Sequence, residues 1–162
     1  PGLDTPPGPR PEVPTAWTSA HAALLSLAYG AFGLSSVAAL MYLTQERNLK
    51  YHKLQAIISL MPPIQRLEMV TVRLLVAGFV LLTVGLGVGY LGLTHLHNAQ
   101  TFSADPKVVW SALVWLLYLG LIVLRWKFAQ GGRRFALGAL GSFVFVLLTF
   151  WGTNVLSPLH NP

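Results

Sequence analysis

Cysteine is absent from the 162 residues. Disulfides, thiolate metal ligands, thiol redox chemistry and covalent haem attachment through C-x-x-C-H are thereby excluded. Charge is scarce too, at 10% of the chain, where a soluble domain carries about 25%. Acidic residues are the scarcer charge: five Asp and Glu against eleven Lys and Arg. The outer side carries no paired carboxylates beyond Asp105, and the chain has no H-E-x-x-H, no G-x-S-x-G and no G-x-x-x-x-G-K, so an enzyme is not expected.

What is present is apolar. Hydrophobic residues make up 54% of the chain and the mean hydropathy is +0.59. Several uncharged runs reach the roughly 18 residues that cross a bilayer. The expected class is an all-α integral membrane protein with four transmembrane helices and short loops. The net charge of +6 does not point to nucleic acid, because nearly all basic residues sit in two short segments between apolar runs.

Residues 1 to 14 hold six prolines, which forbid a continuous helix and bury little, so an extended aqueous tail is expected there. The first residue is proline rather than methionine, as in a processed or truncated chain, and the start lacks the order of a signal peptide. Residues 15 to 162 form the four-helix transmembrane domain, with spans at about 17–43, 69–93, 108–126 and 135–156. Ala22, Ser26 and Gly30 give the first span a small-residue face, and Gly85 and Gly89 give the second a G-x-x-x-G pair, both readable as close helix packing. Trp17, Tyr90, Trp110, Trp126 and Trp151 fall near span ends, as an interfacial belt requires. Leu54 to Pro63 is apolar but too short to cross and is expected to lie on the inner surface.

Orientation follows from the basic residues. Arg47, Lys50, Lys53, Arg66, Arg73, Arg125, Lys127, Arg133 and Arg134 flank the connections on one side, and only Arg10 and Lys107 lie on the other. The positive-inside rule then puts both basic connections inside and both termini on the outer, periplasmic side of a bacterial inner membrane.

That topology gathers the histidines. His21 falls near the outer end of span one, His95 and His97 just beyond span two, and His160 just past span four; His52 alone is inside. Histidine is the commonest metal ligand, and two imidazoles facing across a cleft hold haem iron from both sides. His95 and His97, in the turn T-H-L-H-N, read more simply as surface residues. His21 sits inside an apolar helix, where ionisable residues mark functional sites. Asp105 before Pro106 is a natural helix cap, and Lys107 beside it could meet an anionic group such as a propionate.

The chain resembles the C-terminal core of the haem-handling cytochrome c assembly proteins, the CcsA and HemX-like membrane family. The matching segments are H-A-A-L-L-S-L-A-Y at 21–29, Q-E-R-N-L-K at 45–50, M-P-P-I-Q-R-L-E at 61–68 and L-L-T-V-G-L-G-V-G at 81–89. They continue with D-P-K-V-V-W-S at 105–111, G-R-R-F-A at 132–136, W-G-T-N-V-L at 151–156 and L-H at 159–160. The resemblance implies a protein that presents haem b on the outer face for attachment to apocytochrome c. His21 and His160 look like the flanking iron ligands, and Asp105 and Lys107 like the surviving part of a W-x-x-W-x-W-D-P-K loop. Gln100, Phe102 and Ala104 occupy the region where that pattern has tryptophans.

Two functions stay open at this stage. One is the haem-handling role. The other is a structural accessory subunit of a larger respiratory or photosynthetic membrane complex, without haem or with a pigment bound through His21. Membrane lipid and other membrane subunits are expected partners in both.

Overall fold

The computed structural model describes residues 15–51, 62–95, 106–127 and 131–156. They form four helices: α1 (Thr15–Tyr51), α2 (Ile64–His95), α3 (Pro106–Lys127) and α4 (Arg133–Leu156). Each contains one of the expected spans, so the helical class read from the sequence holds. Three of them, over Ala16–Lys50, Ile64–Gly92 and Val108–Lys127, are long and apolar enough to cross a membrane.

Helix ends follow local chemistry. α3 starts at Pro106, whose fixed φ and missing N–H suit a first helical position. α2 starts directly after Pro62 and Pro63, and the Pro63 carbonyl accepts the Arg66 and Leu67 amides at 2.8 and 3.2 Å. Gly132, at φ +66°, precedes α4 in the left-handed region that glycine enters without strain. With 37 residues at 1.5 Å rise each, α1 is about 55 Å long. It therefore overshoots the roughly 30 Å hydrocarbon core, because T-Q-E-R-N-L-K-Y continues the helix without a glycine or proline to end it.

α1 and α2 pack antiparallel along most of their length. The α2 glycines provide the close approach: a Cβ on Gly78 would stand 2.7 Å from the Phe32 ring and 3.1 Å from the Ala28 carbonyl, and one on Gly85 would stand 3.1 Å from Leu25. The packing reading of the glycine pair is thus borne out. The small-residue face assigned to α1 is not. Ala22, Ser26 and Gly30 are exposed, and a Cβ on Gly30 would meet nothing within 4 Å. The α1 face that docks carries Leu25, Ala28, Phe32 and Ser35, of which Leu25 and Phe32 fill the notches at Gly85 and Gly78.

α3 and α4 close the bundle. Tyr118 of α3 stacks on Phe32 with ring centroids 3.7 Å apart and 3° between planes. Both rings are almost wholly buried, and the Tyr118 hydroxyl has no hydrogen-bond partner among the described residues. Phe143 of α4 would meet a Cβ on Gly33 at 3.2 Å, and Trp115 donates to the Thr83 hydroxyl at 3.0 Å. Ser35 donates to the Thr71 carbonyl at 2.9 Å, tying α1 to α2 at a buried level. Trp17, Tyr90 and Trp126 are exposed near helix ends, as a belt requires. Trp110 instead turns inward against Phe145, with centroids 6.1 Å apart.

The basic end of the bundle has a polar fastening. Glu68 of α2 pairs with Arg125 of α3 at 2.7 Å, and its Oε1 accepts the Gly132 amide at 3.1 Å. The Arg125 guanidinium lies 5.4 Å from the centroid of the Phe135 ring. One carboxylate thus joins the start of α2, the end of α3 and the turn into α4.

Candidate functional site

At the opposite end lies His21. Its ring is half-buried in the α1/α2 seam, with Nδ1 2.7 Å from the carbonyl oxygen of Gly85. A carbonyl can only accept, so Nδ1 donates and carries the proton. In the neutral ring the Nε2 lone pair is then the available donor. That tautomer is the one found in metal-bound histidines whose second nitrogen is tied to a backbone carbonyl.

Space for the ring comes from α2. A Cβ on Gly89 would lie 2.7 Å from His21 Cε1 and 2.8 Å from Nδ1, whereas one on Gly92 would meet the Trp17 Cβ at 3.8 Å. Gly87, on the other side of the helix, would meet nothing within 4 Å. The sequence reading singled out His21 and the glycine pair separately and missed that they form one contact. The signal was the helical register: residues 85 and 89 lie one turn apart on the α2 face that an antiparallel α1 presents to 21 and 25.

His95 is the last residue of α2 and Lys107 the second of α3. Because α1, α2 and α3 alternate in direction, both positions lie at the same end of the bundle as His21, the end where α4 also finishes. Their side chains, together with His97, Asp105, His160 and the stretch 100–104, lie outside the described residues, as do His52 and most of 54–63. Among the described residues no three of His, Asp and Glu come together as a metal site.

Comparison with known proteins points the same way as the motifs. The chain matches the family described as "Cytochrome C assembly protein" over residues 10–160. It is similar to the "Cytochrome c biogenesis protein CcsA" of Prochlorococcus marinus strain MIT 9312, at 26% identity over 165 residues, covering 90% of this chain and 53% of that protein. The protein of the same name from strain MIT 9515 is 35% identical over 92 residues, covering 57% of this chain and 29% of that one. The chain spans about half the length of the curated relatives it matches. No solved structure matches it. With nearly its whole length matched and its apolar helices in place, the chain belongs to the cytochrome c assembly protein family as a helical membrane protein.

Proposed function

We propose that this chain handles haem in cytochrome c assembly, holding it at the outer membrane face for attachment to apocytochrome c. The observation that carries the reading is the His21 imidazole, with Nδ1 tied to the Gly85 carbonyl at 2.7 Å and Nε2 left as donor. Such a ring fits iron: it is oriented by a backbone carbonyl and half-buried at a helix-bundle end. His21 and His160 would hold haem b between them, with Lys107 near a propionate. The bound haem supplies the vinyl groups to which a partner's thiols attach. What the protein does is grip and present, and we read it as a carrier rather than a catalyst.

The nine-to-two distribution of Lys and Arg supports the placement. It puts the Glu68/Arg125 end inside and the His21 end outside. α4, uncharged from Phe135 to Leu156, serves as the fourth span, bringing both termini outside in a bacterial inner membrane. Membrane lipid and further membrane subunits surround the exposed apolar faces.

An absorption spectrum of the purified chain tests the reading. A sharp Soret band with resolved α and β bands on reduction, lost in His21→Ala, is expected. A chain that takes up no haem even when haem is supplied overturns it. The accessory-subunit reading is favoured by one observation, that Gln100, Phe102 and Ala104 stand where the family loop has tryptophans; its signature is a stable complex with other subunits and no haem.

A further inference from the structure

The glycines of α2 do different things in the seam. Gly78 gives room to the Phe32 ring and Gly85 to Leu25, both apolar. Among the glycines of α2, Gly89 alone has an imidazole at the place of its missing Cβ, 2.7 Å from Cε1 and 2.8 Å from Nδ1. Within an α-helix the amide of Gly89 is the one that pairs with the Gly85 carbonyl. The His21 Nδ1 approaches that same oxygen at 2.7 Å, so carbonyl, helix amide and imidazole meet at one point. Any side chain at 89 would occupy the path by which the ring reaches the oxygen.

We propose that Gly89 is a positioning residue for the haem ligand: its bare backbone admits the His21 ring to the Gly85 carbonyl, which keeps the proton on Nδ1 and leaves Nε2 for iron. The assignment rests on the haem-handling reading for its purpose and on the seam geometry for its substance. In Gly89→Ala the new methyl group falls closer than 3.0 Å to two ring atoms, and the ring has to swing away. A displacement that takes the N···O separation past about 3.5 Å ends the hydrogen bond. The ring then reverts toward the mixed tautomers of an untied imidazole. Gly87→Ala is the matched control, with the same change in helix propensity at a position that touches nothing.

The test is nitrogen-15 NMR of ring-labelled histidine in the detergent-solubilised full chain without haem, with the His21 signals assigned by their loss in His21→Gln. At a pH alkaline enough for the ring to be neutral, the wild type and Gly87→Ala should show Nδ1 protonated and Nε2 bare, and Gly89→Ala should show a mixture or the reverse. An unprotonated Nδ1 in the wild type overturns the proposal, whether or not any variant folds. An unchanged Nδ1–H in a folded Gly89→Ala overturns it as well. In a second arm the same chains are titrated with haem. Loss of a second-sphere partner typically costs about 10- to 100-fold in metal affinity, so Gly89→Ala should bind haem at least about tenfold more weakly than Gly87→Ala. Equal affinity in the two would sink the positioning role while leaving haem handling intact. The tautomer result with no haem uptake by any chain would sustain the positioning and sink the haem reading instead.

Discussion

Phe32 and Tyr118 lie ring on ring at 3.7 Å, from helices that are far apart in sequence, and the phenol at the centre of this stack has a hydroxyl with no partner among the described residues. An unsatisfied buried hydroxyl costs about 1–3 kcal/mol in lost solvation. Tyr118→Phe keeps the stacked faces and removes that cost. Unfolding in mild detergent should show the variant equal to the wild type or more stable by about 1 kcal/mol. A clear loss of stability would mean that the hydroxyl has a partner after all.

Gly78 should tolerate nothing larger than hydrogen. The Cβ of an alanine there would sit 2.7 Å from Phe32 and 3.1 Å from the Ala28 backbone, and a backbone atom cannot step aside as a side chain can. Overpacking of this kind costs about 1–3 kcal/mol. Gly78→Ala should therefore unfold earlier than Gly87→Ala, which meets nothing within 4 Å, and identical unfolding curves would refute the close approach.

Glu68 serves two partners, so its variants should separate. Glu68→Gln keeps an oxygen for the Gly132 amide and gives up the charge facing Arg125; Glu68→Ala gives up both. Since the pair is about a quarter exposed, the charge interaction is worth at most about 1 kcal/mol. Alanine should cost about 1–2 kcal/mol more than glutamine, because the amide bond to a carboxylate is lost as well. Equal losses would leave the Gly132 contact without energetic weight.

The cysteine-free background makes topology directly measurable. Ser103→Cys should react with an impermeant thiol reagent in intact cells, and Gln130→Cys only after the membrane is opened. The reverse pattern would invert the orientation drawn from the basic residues.

Restoring aromatic surface to the loop should strengthen haem binding. An aromatic side chain buries about 150–250 Å², and Gln100 and Ala104 offer little of that. Gln100→Trp combined with Phe102→Trp and Ala104→Trp should raise haem occupancy on titration. No change would mean that the loop does not touch the ring.

Much of this fold was legible because hydrophobic length and proline placement act locally. The start of α3 at Pro106 and the four apolar runs needed no knowledge of neighbours. The docking face of α1 did need it. Ala22, Ser26 and Gly30 have the spacing of a packing face, yet the partner helix supplied the hollows itself, and only α2 could reveal that α1 must supply bulk. Glu68 was equally opaque from its own surroundings. Its clue was scarcity, since a lone acid among the basic residues flanking α2 and α3 is drawn to one of them, but which one depends on how the helices are stacked. For the site, the sequence marked His21 by its place in an apolar helix and left its tautomer undetermined, because that property belongs to a carbonyl contributed by another helix.

The extensive contact between α1 and α2, set against the sparser contacts that α3 makes with its neighbours, bears on how the protein is made. Everything that seats the imidazole, namely His21, the Gly85 carbonyl and the hollow at Gly89, comes from α1 and α2, which are synthesised before α3 and α4. Domains and hairpins form in the order in which they leave the ribosome, and neighbouring antiparallel helices are joined by short-range contacts that form quickly. The seat is therefore complete before α3 and α4 are made, and those helices arrive to find the His21 ring already tied to its carbonyl.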